Sequence, residues 1–328
     1  LMVRKKVSRA LVVAPKLLLP QWQEELAVKF GIPAETATGA QLTAAVRRGV
    51  PVVVSTYQSI RAYLDDLRRS NFDMIILDEA HKLRNLYGTA QPPQFAVGVR
   101  QALADRVFKY VLMLTATPIQ NRLWDLYSLI DLLTAAKGHT NPLGSPESFK
   151  ATYIEDARAV QIRRGRREEF RQHLSNYIVR TRRNDAKLVF PTRRVKTHRV
   201  AASPVEVRLL TLVGELLREH SLNGLSQSSI GQALMSSPQA LASQLEEMAQ
   251  RGTVPRELAR VVSALVTPDS VSGKLTGLTT LIQELSSKRP DDWRLVVFTS
   301  RTKTQDAIGR HLKALKIPTG FIAGSRAN

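Results

Sequence analysis

The sequence predicts an α/β fold built on a parallel sheet, and three observations carry that prediction. Four short runs are almost wholly apolar: Ala10-Leu11-Val12-Val13-Ala14, Val52-Val53-Val54, Met74-Ile75-Ile76-Leu77 and Tyr110-Val111-Leu112-Met113-Leu114. Unbroken apolar runs, unlike alternating ones, belong to strands covered on both faces, which is the habit of parallel sheets. The stretches between them are spaced like helices, and each run stops at a turn or polar signal.

Taken in order, the first run ends at Pro15, and Pro20 opens a helix carrying Trp22 and Leu26 at i and i+4. That pairing makes Trp22 a packed helix residue before it makes it a stacking platform for a base. The second run ends at Ser55-Thr56-Tyr57, the third at Asp78-Glu79 and the fourth at Thr115. Beyond Asn121, the residues Leu123, Leu126, Tyr127, Ile130 and Leu133 repeat at helical spacing. From Gly138 the pattern becomes loop-rich and then basic, through Arg163-Arg164-Gly165-Arg166-Arg167 and Arg180-Thr181-Arg182-Arg183. Such arginine runs are either solvated faces or phosphate contacts. Residues 204–268 read as helical, with breaks at Ser226–Ser229 and Gly252–Pro255. A second α/β pattern follows: a helix over Leu275–Leu285, a strand over Arg294–Phe298 and a helix over Thr304–Leu315.

Composition narrows the class of function. The 328 residues are 43% hydrophobic and 23% charged, a soluble globular balance, with no apolar run of bilayer length and no signal-peptide pattern. The absence of cysteine excludes disulfides and thiolate metal sites and fits a reducing, cytoplasmic setting. The six histidines show no paired metal-ligand spacing. A formal charge of +20 favours a polyanion, and the lack of a basic amphipathic helix favours nucleic acid over membrane. The Ala-, Arg- and Leu-rich style without lysine-rich tails is that of a bacterial protein. Strand-like runs lie close to both ends, so the chain reads as a piece of a longer polypeptide.

The chemistry concentrates at two strand ends. Ligands of open parallel sheets sit beyond the carboxyl ends of the strands, where Asp78-Glu79-Ala80-His81 falls. Two adjacent carboxylates there can divide nucleotide hydrolysis. Asp78 would hold Mg²⁺ through water, Glu79 would polarise the attacking water, and His81 would sense the phosphate state. A solvated acidic turn is the plainer alternative. Leu114-Thr115-Ala116-Thr117-Pro118-Ile119-Gln120-Asn121 places two hydroxyls at the next strand end. They could bridge the nucleotide side of a cleft to its polymer side, or form an ordinary turn in which Asn121 caps the next helix.

On these residues the chain resembles the Swi/Snf-type helicase-like ATPases, a superfamily-two group of DNA translocases. Asp78-Glu79-Ala80-His81-Lys82-Leu83-Arg84-Asn85 is similar to their Walker B segment. Leu114–Asn121 followed by Leu123-Trp124-Asp125-Leu126-Tyr127-Ser128-Leu129 is similar to their third motif, which separates them from DEAH-box RNA helicases. Val13-Ala14-Pro15 with Trp22 and Glu25 resembles motif Ia, and Ser55-Thr56-Tyr57 resembles motif Ib. Arg182-Arg183-Asn184-Asp185 with Phe190-Pro191 resembles the basic element after the first lobe. Ser272-Gly273-Lys274-Leu275 and Val296-Val297-Phe298-Thr299 resemble the entrance to the second lobe and motif IV.

The resemblance implies RecA-like P-loop NTPase lobes: a first over residues 1–135, a basic helical insertion over 136–270 and the beginning of a second over 271–328. It implies ATP and Mg²⁺ as cofactors, with Asp78, Glu79, His81, Thr115, Thr117 and Gln120 coupling them to movement. It implies double-stranded DNA as partner, with proteins bound to it as targets, contacted through Pro15, Lys16, Ser55, Thr56, Tyr57, Arg182, Arg183 and Thr299. One departure stands against it. No Gly-Lys-Ser/Thr phosphate loop occurs in the sequence, and the family's last motifs, with their arginines, are missing too. The expectation is therefore an ATP hydrolase as a whole protein and an inactive piece alone. A true unwinding helicase, a restriction-system motor and a degenerate nucleic-acid-binding module are the rival readings.

Overall fold

The computed structural model describes residues 1–2, 4–64, 67, 70–181, 191–323 and 326–327, which form two compact units, Leu1–Val189 and Phe190–Asn328. The first is the α/β unit. Its strands are β1 (Ala10–Ala14), β2 (Glu35–Thr36), β3 (Val52–Thr56), β4 (Met74–Asp78) and β5 (Tyr110–Leu114), in the spatial order β2-β3-β1-β4-β5, all parallel. All four apolar runs are thus strands of one sheet. Helices α1 (Leu19–Phe30), α2 (Ala40–Arg47), α3 (Tyr57–Ala62) and α4 (Gln94–Ala104) connect them.

Successive side chains point to opposite faces of the sheet, and β1 and β3 are buried on both, whereas β4 is buried on alternate residues and β5 is only half-buried. Leu11 and Val13 of β1, Val53 of β3 and Ile75 and Leu77 of β4 enter one core with Leu42, Ile60 and Phe72. Ala10, Val12, Ala14, Val52 and Val54 enter the other, under Leu19, Trp22 and Leu26 of α1. The parallel register pairs Ala14 with Thr56, Val13 with Leu77 and Asp78 with Leu114. The last residues of four strands therefore share one row, and the loops that leave them share one rim.

The start of β1 is pinned by Asp73, whose Oδ2 accepts the backbone N–H groups of Ser8 (2.6 Å) and Arg9 (3.1 Å). Those bonds hold its carboxyl below the usual range. The Arg9 guanidinium reaches back to the carbonyls of Val46 and Val50 and lies over the Phe72 ring. At the other end of the sheet, β5 has no partner on its outer flank among the described residues, and its Leu112 is exposed. An open edge of this kind can template further pairing.

Helix α5 (Leu123–Lys137) is buried nearly all round, between the sheet and an aromatic cluster of Trp124, Tyr127, Phe149, Tyr153 and Phe170. The loop-rich stretch after Gly138 also holds two short helices, α6 (Pro146–Tyr153) and α7 (Arg167–Ser175), whose few apolar residues complete that cluster.

The second unit is mostly helical: α8 (Pro204–Glu219), α9 (Gly224–Ser236), α10 (Pro238–Gln250), α11 (Arg256–Leu265), α12 (Gly273–Lys288) and α13 (Thr302–Ala314). Leu209, Val213, Ile230, Leu241, Leu245 and Val262 form its core. The expected break at Ser226–Ser229 is absent. Asn223 accepts the N–H of Ser226 (2.8 Å) and starts α9 one step earlier, so the serines fall inside a continuous helix. The Ser272-Gly273-Lys274-Leu275 element has a packing role. Ser272 Oγ accepts from Leu275 N (3.2 Å), and Glu206 Oε2 accepts both Gly273 N and Ser203 N at 2.8 Å. A Cβ on Gly273 would lie 1.9 Å from the Ala201 carbonyl oxygen, so only glycine fits.

Arg294–Phe298 does not form the expected strand. It has no regular structure, Val296 and Phe298 are 73% and 92% exposed, and it pairs with nothing among the described residues. β-Branched residues favour extended backbone, yet a strand needs a neighbour to bond. The described strands of this unit are β6 (Ile322–Ala323) and β7 (Arg326–Ala327), which pair antiparallel with each other.

Candidate nucleotide-coupling site

The rim of the first unit brings the residues of the two strand ends together. Asp78 closes β4. Its Oδ1 accepts the N–H of Glu79 (2.9 Å) and its Oδ2 accepts the indole N–H of Trp22 (2.9 Å) from α1. One bond to each oxygen fixes the carboxylate while leaving further lone pairs open. Tyr57 donates its hydroxyl to the Asp78 carbonyl (2.7 Å). Burial first, then the charges of Asp78 and Glu79, push that phenol well above its ordinary pKa. The hydroxyl is thus a fixed donor at any working pH.

Glu79 takes a left-handed backbone, φ +52° and ψ +47°, before a single turn of 3₁₀ helix over Ala80–Leu83. A side chain with a Cβ pays about 1–2 kcal/mol for that conformation. The turn returns His81 onto Glu79. His81 Nδ1 lies 3.0 Å from Glu79 Oε2 and 3.4 Å from Thr115 Oγ1, just after β5, so this one ring nitrogen touches both strand ends. Thr115 Oγ1 accepts the N–H of Thr117 (3.2 Å), Thr117 Oγ1 accepts from the Gln120 side-chain amide (3.2 Å), and Arg84 donates to Gln120 Oε1. The six residues expected to couple nucleotide to movement therefore form a connected set: Asp78, Glu79, His81, Thr115, Thr117 and Gln120.

That set is held by a residue the sequence reading passed over. Asp125, 1% exposed at the third position of α5, accepts through Oδ2 the backbone N–H groups of Gln120 (3.2 Å), Asn121 (2.9 Å) and Arg122 (3.2 Å). Asn121 does not cap the helix, as the turn reading had it; it is a donor to Asp125. The signal was available, because an acidic residue at the third position of a helix reaches back to the N–H groups before it. Trp22 is packed under Leu26, as its spacing predicts, but the contact of its indole with Asp78 was not legible.

The expected nucleic-acid residues divide. Pro15 and Lys16 stand at the end of β1, Pro15 half-buried and Lys16 exposed. Ser55, Thr56 and Tyr57 are buried, which corrects the expectation that their side chains meet nucleic acid directly. Ser55 Oγ donates to the Ala37 carbonyl (2.6 Å), Thr56 Oγ1 accepts from Ser59 N (3.1 Å) and Tyr57 serves Asp78. Hydroxyls at a buried strand end must find protein partners, and these do. Thr299 belongs to the second unit, where its Oγ1 accepts from Arg301 N (3.4 Å). Arg182 and Arg183 lie outside the described residues.

Gly88, in the loop after the Asp78–Asn85 segment, has φ +69°, and a Cβ there would lie 2.4 Å from Cδ1 of Trp124. Gly88→Ala is expected to destabilise the first unit by about 2 kcal/mol, through backbone strain and overpacking together. A thermal melt followed by tryptophan fluorescence checks this, with an unchanged midpoint as the contrary result.

Among the described residues no cluster of His, Asp or Glu could hold a metal by itself, and no helix is long and apolar enough to cross a membrane. Comparison with known proteins places these observations. Residues 2–253 match the family model of the SNF2-related domain. The chain is 30% identical over 217 residues to the "Uncharacterized ATP-dependent helicase YqhH" of Bacillus subtilis, covering 66% of this chain and 35% of that protein. It is 28% identical over 163 residues to a "DNA repair and recombination protein RAD54-like" of Drosophila mojavensis, covering 45% and 19%. The chain thus spans about a third or less of these relatives' lengths. Among solved structures it is similar to the Sulfolobus solfataricus SWI2/SNF2 ATPase core in complex with dsDNA, at 20% identity and a TM-score of 0.45, covering 95% of this chain and 60% of that one. With a family model matched over most of its length, and with its parallel sheet carrying the Asp-Glu-Ala-His segment at a strand end, the chain belongs to the SNF2-related domain family.

Proposed function

We propose that these 328 residues are part of an ATP-driven motor that moves along double-stranded DNA. The observation that carries the reading is the contact path from Glu79 through His81 to Thr115. It joins the strand end suited to hydrolysis to the strand end suited to transmitting its outcome. The relatives' names, an ATP-dependent helicase and a DNA repair and recombination protein, agree with it, as does the charge of +20. On this reading residues 1–135 belong to the first lobe, 136–270 to a basic insertion and 271–328 to the start of the second. Pro15, Lys16, Arg182, Arg183 and Thr299 would face the nucleic acid.

The residues fit magnesium in one respect. Asp78 is a fixed hard-oxygen donor with open lone pairs, suited to a single contact through a metal-bound water. The bound ion would neutralise charge on the phosphates. Glu79 would orient and deprotonate the attacking water. The nucleotide itself lacks its cradle here, since no Gly-Lys-Ser/Thr sequence occurs in the 328 residues. The test is ATP hydrolysis by the whole protein, with and without duplex DNA. Magnesium-dependent turnover stimulated by duplex is expected; turnover indifferent to DNA would refute the motor.

A further inference from the structure

On the first unit, a cleft of 730 Å³ lies beside the coupling site but shares none of its residues. Its walls are Gly88–Ala90 after the Asp78–Asn85 segment, Asn121, Arg122 and Trp124 at the start of α5, Lys150 on α6, and the loop 157–160. No carboxylate lines it, whereas Arg122, Lys150 and Arg158 do. Arg122 is partly engaged with the Gly88 carbonyl (2.8 Å) and Asn85 (3.4 Å). Lys150 and Arg158 are exposed, and their charged groups have no partner among the described residues. Trp124 is 8% exposed, its pyrrole edge against Gly88, and its indole N–H has no acceptor among the described residues. That N–H is not sealed from solvent, so it stands at the wall of a cationic cleft as an open donor.

The cleft is also preorganised. Asp156 accepts the N–H groups of Arg158 (3.1 Å), Val160 (2.8 Å) and Gln161 (2.8 Å), which turns its carboxylate into the loop and holds its pKa down. Ala159 takes φ +55°, and its carbonyl accepts the first N–H of α5, from Leu123 (2.7 Å). The loop is thereby fastened to the helix that carries Trp124. Just beyond it in sequence, Arg163, Arg164, Arg166 and Arg167 are exposed, Arg166 paired with Glu169 (2.6 Å) and Arg163 bonded to the Ile154 carbonyl (3.1 Å).

We infer that this cleft is a phosphodiester-binding site, a second contact of the first unit with duplex DNA apart from Lys16. The ligand class follows from the walls. Three cations and neutral donors, with no counter-charge, suit a strongly acidic oxygen acceptor. The exposed arginine run that follows the cleft loop in sequence suits a charge that repeats, as along a nucleic-acid backbone. The inference rests on duplex DNA as the partner of the proposed motor.

The experiment measures binding of a fluorescent mixed-sequence duplex to the 328-residue chain over a range of salt. Three variants are compared: Lys150→Gln with Arg158→Gln, Trp124→Phe, and Lys16→Gln. The double variant changes two exposed side chains and should melt like the parent. It is expected to bind about tenfold more weakly at low salt and to flatten the slope of log K against log salt by about 2. Trp124→Phe keeps the ring and removes the donor. It should weaken binding by about tenfold with the slope unchanged. Should it fail to fold, the double variant decides alone. Affinity and slope unchanged in the double variant overturn the site, and so does loss of poly-glutamate binding with duplex binding retained. If Lys16→Gln weakens binding and the double variant does not, the cleft fails and the motor stands. If the unaltered chain binds no duplex at all, the cleft fails as a site, and the motor reading is decided separately by duplex-stimulated hydrolysis in the whole protein.

Discussion

Replacing Asp125 with alanine is expected to destabilise the first unit by about 3 kcal/mol and to undo the coupling path at its far end. Three backbone N–H groups depend on one carboxylate oxygen, and the residue is 1% exposed, so water cannot take its place without an opening of the structure. A buried donor left unsatisfied costs about 1–3 kcal/mol, and partial rearrangement of the loop keeps the sum below three full penalties. The same oxygen holds the backbone of Gln120, whose side chain contacts Thr117 and Arg84. Asp125→Asn keeps one oxygen for the three donors and should cost only about 1 kcal/mol. Denaturation by urea in a Trp293→Phe background, where the remaining tryptophans, Trp22 and Trp124, both report on the first unit, separates the two variants. Equal midpoints for alanine, asparagine and the parent would show that the loop does not depend on this carboxylate.

What the sequence made legible, and what it hid, follows from the range of the forces involved. β1 and β3 were readable because burial on both faces forces an unbroken apolar run, a signal contained in five residues, and β4 and β5 carry the same kind of run with less burial. The Asp78–His81 segment was readable for a related reason: strand and chemistry are adjacent in sequence. The link from His81 to Thr115 spans 34 positions, and it becomes visible only when β4 and β5 pair. Trp22 shows the limit well. Its spacing to Leu26 predicted packing, and it packs, but nothing local says that its N–H will meet Asp78, 56 residues away. Ser55, Thr56 and Tyr57 failed in the other direction. Hydroxyls at a strand end look available in sequence, and the fold spends them on Ala37, Ser59 and Asp78. Arg294–Phe298 failed because extended propensity is local whereas a strand is a relation between two segments.

Glu79→Gln in the whole protein, with whatever segments flank these residues, is expected to lower kcat for ATP by about 10²- to 10⁴-fold, the usual yield of a positioned general base. The amide keeps the length of the side chain, and its oxygen can still accept from His81. The backbone strain at this position is equally unaffected, so the fold should melt within a degree or so of the parent. KM for ATP should hold, because Glu79 acts on the water and not on the phosphates. Asp78→Asn should differ in kind, raising the magnesium needed for half-maximal rate, since it weakens the one hard-oxygen contact. In the isolated 328-residue chain neither change should register. With no Gly-Lys-Ser/Thr sequence in these 328 residues, their turnover is expected to be at background. Steady-state hydrolysis with saturating duplex, titrated in ATP and then in magnesium, distinguishes these roles. A Glu79→Gln protein that keeps its full kcat would show that the acid beside Asp78 shapes the turn and takes no part in hydrolysis.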